Sequence, residues 1–150
     1  MNLENKINAD IKTAMLARDA KKLEALRAVK AALLIEKTKE GFVGEVGEVE
    51  ELKILQKLIK QRKESADIYE NANRFDLSEK ERFDAAIIET YLPQQLSEDE
   101  VKSQIKTIIA QTGAASIKDM GKVMAIASKE LAGKADNKMI SVIVKSLLGV

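Results

Sequence analysis

The sequence predicts an all-α protein, with an N-terminal helical domain of about four helices followed by a small three-helix C-terminal domain. Three observations lead to this fold class. Apolar residues recur every three or four positions along nearly the whole chain, helix-capping residues precede these runs, and glycine or proline follows them. The single proline, Pro93, separates the two groups of helices, so we expect domains at residues 1–92 and 93–150.

The first two helices begin at predicted N-caps, Asn2 and Asp19. Their apolar positions at helical spacing are Leu3, Ile7, Ile11, Ala14 and Met15 in the first helix, and Leu23, Leu26, Val29 and Leu33 in the second. Leu34 and Ile35 widen the apolar face of the second helix, which we therefore expect to be the most buried. Three glycines within residues 41–47 predict a loop after it.

The third helix is predicted as one long element from Glu48 to about Asn73. Its apolar side is formed by Leu52, Leu55, Ile59, Ala66 and Tyr69. Ser78 and Glu81 have the spacing of a capping box, which predicts that the fourth helix begins there. This helix is expected to end before Pro93, because proline cannot continue a helix.

Three short helices are predicted in the C-terminal domain. Their N-caps are Ser97, Ser116 and Asp136, and the first two are followed three residues later by an acidic residue, as in a capping box. Gly113 and Gly133 follow the fifth and sixth helices, where glycine commonly provides the left-handed residue that ends a helix.

Composition narrows the classes of protein that the chain can belong to. Hydrophobic residues make up 45% and charged residues 33% of its 150 residues, as in folded globular proteins. Cysteine and histidine are absent, which removes disulfides, thiolate ligands and the commonest zinc ligand. No apolar run approaches the roughly 20 residues of a membrane helix, and no secretory signal is evident. We expect a cytoplasmic protein without metal, cofactor or membrane partner.

No catalytic site is predicted. The usual pairs of nucleophile and base require His or Cys, and this chain has neither. Phosphate-binding loops of the types Gly-x-x-x-x-Gly-Lys-Ser/Thr and Gly-x-Gly-x-x-Gly are also missing. Glu48, Glu50 and Glu51 do not share one helical face, and we expect them to provide favourable charge at a helix N-terminus. Catalysis by this chain alone is therefore not expected.

Positive charge is concentrated towards the C-terminus. The net charge is +1, but residues 101–150 contain eight lysines and three acidic residues, a net charge of +5, which leaves −4 for residues 1–100. Six of these lysines, called the tail lysines below, are candidate nucleic-acid-binding residues: Lys118, Lys122, Lys129, Lys134, Lys138 and Lys145. At about 100° per residue, Lys118, Lys122 and Lys129 are predicted to lie within about 40° of one another on the sixth helix.

Two interpretations of the tail lysines stay open. Lys138 and Lys145 share a face of the seventh helix, and Lys134 lies in the preceding loop, so the set is suited to neutralising successive phosphates of a nucleic-acid backbone. Alternatively, the lysines are the solvated backs of amphipathic helices. Stacking on single-stranded bases is disfavoured, because none of the five aromatic residues lies in the basic segment. Contact with the backbone of a folded RNA stays possible.

Arg62 and Arg74 are secondary candidates for binding nucleic acid. Arg62 is predicted to lie inside the apolar stripe of the third helix. It would either pair there with a carboxylate, Asp76 or Asp84, or line a groove for a ligand phosphate. Arg74, close to Asp76 in the sequence, has the same two interpretations.

Four motifs together resemble the YqeY family: KQRKES at residues 60–65, RFDL at 74–77, YLPQQL at 91–96 and DMGKVM at 119–124. The C-terminal part is similar to the tail domain of the GatB subunit of aspartyl/glutamyl-tRNA amidotransferase. The resemblance implies an all-helical protein whose three-helix tail engages the body of tRNA. Similar tails are also appended to some glutaminyl-tRNA synthetases. Where the pattern usually has Gly-Arg-Ala-Asp-Gly, this chain has GKADN at residues 133–137. Lys134 keeps the positive charge but lacks the planar fork of arginine.

The resemblance leads to three functional hypotheses. The first is a non-catalytic tRNA-binding or tRNA-enzyme accessory protein, whose partner is tRNA or a tRNA-modifying or aminoacylating enzyme. The second is a component of a glutamine-dependent amidotransferase, a carbon–nitrogen ligase with glutamine as amido-N-donor, by family association. The third is a helical protein–protein adaptor whose tail charges serve only solvation.

Overall fold

The computed structural model describes residues 2–149, which form seven α-helices and one 3-10 turn, with no strand among these residues. The all-α prediction is confirmed. The chain divides after Leu92 into two compact units, Met1–Leu92 and Pro93–Val150, called the N-terminal and C-terminal units below. Each unit has its own hydrophobic core. That each unit is an independent domain stays a prediction.

The N-terminal unit contains four helices: α1 (Leu3–Leu16), α2 (Ala20–Lys37), α3 (Glu48–Asn71) and α4 (Phe75–Glu89). The helix α1 packs on α2, α2 contacts both α3 and α4, and α3 pairs with α4. The predicted caps are confirmed, because the side chains of Asn2 and Asp19 accept hydrogen bonds from the backbone N–H groups of Asn5 and Lys22. Residues 41–47 form the predicted loop.

The core of the N-terminal unit takes one face from each helix. Its buried residues are Leu3, Ile7, Ala14, Leu26, Val29, Leu33, Leu55, Ile59, Ala85 and Ile88. Three apolar residues depart from the prediction: Met15, Leu34 and Ile35 are exposed. The helix α2 is thus buried along a single stripe and not on a widened face, because its neighbours cover only one side.

The start of α4 differs from the prediction. The helix begins at Phe75 and not at the Ser78 capping box. Asn73 takes the left-handed conformation (φ 59°), which reverses the chain after α3, and Ser78 donates its backbone N–H to the Arg74 carbonyl oxygen at 3.0 Å, already inside the helix. Ser78 is buried. Asparagine is one of the few residues that adopt the left-handed conformation readily, so Asn73 sets the boundary.

The C-terminal unit contains α5 (Glu98–Thr112), a 3-10 turn (Ile117–Asp119), α6 (Met120–Glu130) and α7 (Asn137–Leu147). The three helices contact one another pairwise. They enclose a core of the buried residues Val101, Ile105, Ile108, Val123, Ala127, Leu131, Ala135, Ile140, Ile143, Val144 and Leu148. None of the helices within residues 2–149 is long and apolar enough to cross a membrane.

The predicted start and end of α5 and the predicted start of α7 are confirmed, whereas α6 begins at Met120, after a 3-10 turn that Ser116 caps, and ends at Glu130. Ser97 and Asp136 cap α5 and α7 by accepting backbone hydrogen bonds, and Ser116 forms a reciprocal capping box with Asp119. Gly113 (φ 69°) follows α5 in the left-handed conformation. Local sequence therefore determines where α5 starts and stops and where α7 starts.

Candidate nucleic-acid interface

Two tail lysines lie on the solvent side of α6. Val123 and Ala127 are fully buried on the opposite side of this helix, whereas Lys122 and Lys129 are exposed. The two lysines are seven residues apart, which places them about 20° apart around the axis and about 10 Å apart along it. Both are about 100° to 160° around the axis from the two buried residues. Their ammonium groups are therefore available to a ligand.

The helix α7 repeats this arrangement. Lys138 in its first turn and Lys145 in its last turn are exposed, and they also lie seven residues apart. Ile140 and Val144 are fully buried, about 100° to 160° around the axis from the lysines. The solvated backs of α6 and α7 thus each carry two lysines near the helix ends.

Lys118 does not belong to α6. It lies in the 3-10 turn Ile117–Asp119, which ends before Met120 begins the helix. A 3-10 turn rotates about 120° per residue, so the α-helical angle predicted between Lys118 and Lys122 is wrong. The capping box of Ser116 and Asp119 caps this turn, and α6 itself has no side-chain cap. Lys118 is exposed, and its role in binding stays a prediction.

Lys134 lies in the loop between α6 and α7 and is only half-buried. The carbonyl oxygen of Lys134 accepts a hydrogen bond from the Leu96 N–H at 2.9 Å. The side-chain amide of Gln95 donates to the Gly133 carbonyl oxygen at 2.6 Å and to the Pro93 carbonyl oxygen at 3.0 Å. Sequence reasoning did not predict these hydrogen bonds between residues 93–96 and the loop. The only indication in the sequence was that these residues belong to the YLPQQL motif.

Ion pairing differs between the two units. The eight ion pairs found within residues 2–149 all join side chains of the N-terminal unit. No tail lysine forms an ion pair within the same range. The nearest approach to a partner is that of Lys122, whose Nζ lies 3.5 Å from the Thr112 carbonyl oxygen. The charges of the tail lysines are therefore not neutralised by an ion pair within residues 2–149.

Capping explains why nearby carboxylates leave the lysines unpaired. Asp119 accepts hydrogen bonds from the backbone N–H groups of Ala115 and Ser116 at 3.0 and 3.4 Å. These bonds, with a smaller contribution from the charge of Lys122, hold the pKa of Asp119 below its usual value. Asp136 similarly accepts from the Lys138 N–H at 3.3 Å. Both carboxylates thus serve the helix starts.

The two secondary candidates lie in the N-terminal unit. Arg74 is exposed and pairs with Asp76, with its Nε 3.4 Å from Oδ1. The hydrogen bond from Arg74 is the main reason that the pKa of Asp76 is lowered. This is the structural ion pair that sequence reasoning offered as one of the two interpretations of Arg74.

Arg62 lies inside the apolar stripe of α3, as predicted. It donates a hydrogen bond to the Leu58 carbonyl oxygen at 3.3 Å, and its buried Nε has no hydrogen-bond partner within residues 2–149. Of the two predicted partners, Asp84 is the one whose pKa is lowered by the charge of Arg62. Asp84 is only 7% exposed, and burial raises its pKa while Arg62 lowers it. Arg62 thus acts on the Asp84 carboxyl group through its charge, and it forms neither of the predicted ion pairs among those found within residues 2–149.

Comparison with known proteins shows what the chain is similar to. The family model with the description "Yqey-like protein" matches residues 4–148 of this chain. A relative from Meyerozyma guilliermondii, named Altered inheritance of mitochondria protein 41, mitochondrial, is 35% identical over 88 residues. Those residues are 59% of this chain and 45% of that protein, so the match spans less than half of the relative's length.

Proposed function

Because the chain belongs to the Yqey-like protein family, we propose that it is a non-catalytic tRNA-binding or tRNA-enzyme accessory protein. The observation that carries this proposal is that the six tail lysines, of which all but Lys134 are exposed, form no ion pair within residues 2–149, although carboxylates are close by in the sequence. The resemblance of the C-terminal unit to the GatB tail supports tRNA as the anion. From the composition alone, we also propose that the protein is cytoplasmic.

The chemistry of lysine favours the phosphate backbone as the ligand. An ammonium group is a compact charge with three rotatable donors, and it neutralises phosphate without reading base edges. Each neutralised phosphate releases condensed counterions, which favours binding at low salt. The separation of about 10 Å between Lys122 and Lys129 along α6 suits two separate phosphates better than one.

The absence of aromatic residues from the C-terminal unit narrows the type of RNA. Its sequence contains no Phe, Tyr or Trp, so stacking on unpaired bases is not available there. Recognition of a folded RNA relies instead on shape and on backbone contacts. A compact tRNA presents such a surface, which agrees with the proposed partner.

A tRNA titration with charge-reversed variants tests the proposal. Lys122→Glu/Lys129→Glu reverses the back of α6, and Lys102→Glu/Lys106→Glu makes the same charge change at exposed positions of α5. The α6 variant is expected to weaken binding on the order of tenfold or more, and more than the α5 variant does. Equal affinities for both variants and for the wild type would remove the proposed interface.

Two further assays separate the other hypotheses. Ammonia release from glutamine, alone or with a candidate partner enzyme, would support the amidotransferase component. Capture of a protein partner that survives both nuclease and high salt, without tRNA binding, would support the adaptor. The proposed function predicts neither result.

A further inference from the structure

Gln95 connects the start of the C-terminal unit to the loop that carries Lys134. Its amide nitrogen donates to the Gly133 carbonyl oxygen at 2.6 Å, and the backbone N–H of Leu96 donates to the Lys134 carbonyl oxygen at 2.9 Å. Two consecutive residues of the segment thus donate to two consecutive carbonyl groups of the loop. A second bond, from the Gln95 amide to the Pro93 carbonyl oxygen at 3.0 Å, fixes the amide group itself.

The loop needs donors from outside α6. Gly133 has a φ of 73°, so the helical hydrogen-bond pattern does not continue through it. Gly133 and Ala135 are buried on either side of the half-buried Lys134, and buried carbonyl groups require partners. Because the donors come from residues 95 and 96, these residues determine the path of the backbone at Lys134.

Lys134 differs from the four tail lysines of α6 and α7 in the backbone that holds it. Lys122, Lys129, Lys138 and Lys145 are held by the backbone of an α-helix, whereas Lys134 lies in an irregular loop. A binding group pays less conformational entropy on docking when its backbone is already ordered. At Lys134 the backbone is ordered by the hydrogen bonds from Gln95 and Leu96 and not by a helix.

We infer that Gln95 is a positioning residue, which holds the loop so that Lys134 meets a phosphate of the tRNA backbone. The inference rests on the proposed function. Gln95 itself need not touch the RNA, since its amide hydrogens are used on Gly133 and Pro93. Its contribution to affinity therefore acts through Lys134.

A double-mutant cycle measures this coupling. Gln95→Glu keeps the shape of the side chain but replaces the donor by a carboxylate that repels the Gly133 carbonyl oxygen. Gln94→Glu adds the same charge at the exposed neighbouring position, whose side chain makes no hydrogen bond within residues 2–149. Both are compared by tRNA titration in the wild-type and Lys134→Ala backgrounds, with helicity checked by circular dichroism. Gln95→Ala serves as a milder variant if Gln95→Glu does not fold.

The expected result is that Gln95→Glu weakens tRNA binding about threefold or more relative to Gln94→Glu, and that this difference disappears in the Lys134→Ala background. An equal loss in both backgrounds would overturn the inference, because Gln95 would then act on the fold and not through Lys134. No difference between the two glutamate variants would also overturn it. If the wild type does not bind tRNA, the proposed function itself fails, which is a separate result.

Discussion

Arg62 on α3 provides the opposing charge for the buried carboxyl group of Asp84 on α4. Burial raises the pKa of Asp84, and the charge of Arg62 is the largest effect that lowers it. Glu24 and Glu81 raise this pKa further, and Lys80 lowers it slightly. Arg62 is therefore the larger of the two positive charges that lower the pKa of Asp84.

Replacing Arg62 by methionine is expected to destabilise the protein at pH 7 by about 1–3 kcal/mol. This is less than the cost of removing one partner of a fully buried ion pair, because Arg62 is partly exposed to solvent. Without Arg62 the pKa of Asp84 rises further in the folded state. Because this pKa is then higher in the folded state than in the unfolded state, folding favours the protonated carboxyl group. The free energy of unfolding therefore falls as the pH rises above the usual pKa of aspartate. Urea denaturation at pH 4.5 and pH 7 is expected to show a larger loss at pH 7.

The matched control for this prediction is Asp84→Asn. It removes the charge that needs Arg62, so Arg62→Met is expected to cost less in the Asp84→Asn background than in the wild type. Asp76→Asn, at an exposed pair, is expected to leave the pH dependence of Arg62→Met unchanged. Equal costs of Arg62→Met with and without Asp84 would show that the two groups are not coupled.

Asp119→Ala is expected to destabilise the C-terminal unit, because two backbone N–H groups lose their acceptor. The pKa of Asp119 is lowered in the fold, so its contribution is present above the usual aspartate pKa and is lost as the pH falls through the folded value. Thermal unfolding is therefore expected to show a smaller difference between variant and wild type in acid than at pH 7. A difference independent of pH would contradict the role of the carboxylate.

Two glycines of the C-terminal unit are expected to respond to alanine in opposite ways. Gly113 has a φ of 69°, so Gly113→Ala is expected to cost about 1 kcal/mol through backbone strain. Gly121 lies within α6 and is exposed, and an added Cβ meets nothing within 4 Å, so Gly121→Ala is expected to stabilise by about 0.5 kcal/mol. Denaturant midpoints measure both, and the same sign for both variants would contradict the conformational assignment.

Local patterns in the sequence predicted the helical fold well. Capping residues such as Asn2 and Asp136 act within three residues, so the sequence alone contains their partners. The position of Arg62 in an apolar stripe followed from helical periodicity in the same way. Ser78 was misplaced because its pattern is also compatible with a helix interior, where the left-handed Asn73 had already set the start.

The candidate site was predictable only in part. Periodicity correctly placed Lys122 and Lys129 on the side of α6 away from the core, but it could not show the 3-10 turn at Lys118. The bond from Gln95 to Gly133 joins residues far apart in the chain, and no local pattern specifies such a contact. Binding of tRNA by these residues stays a prediction.

The salt dependence of tRNA affinity tests the central proposal most directly. If about three to five tail lysines meet phosphates, a plot of log K against log salt is expected to have a slope of roughly −3 to −5, at about −0.9 per contact. Replacing Lys122, Lys129, Lys138 and Lys145 by glutamine is expected to reduce the magnitude of the slope to about 2 or less, because only Lys118 and Lys134 of the tail lysines then remain. A wild-type slope near zero, or an unchanged slope in the fourfold variant, would contradict binding through the tail lysines.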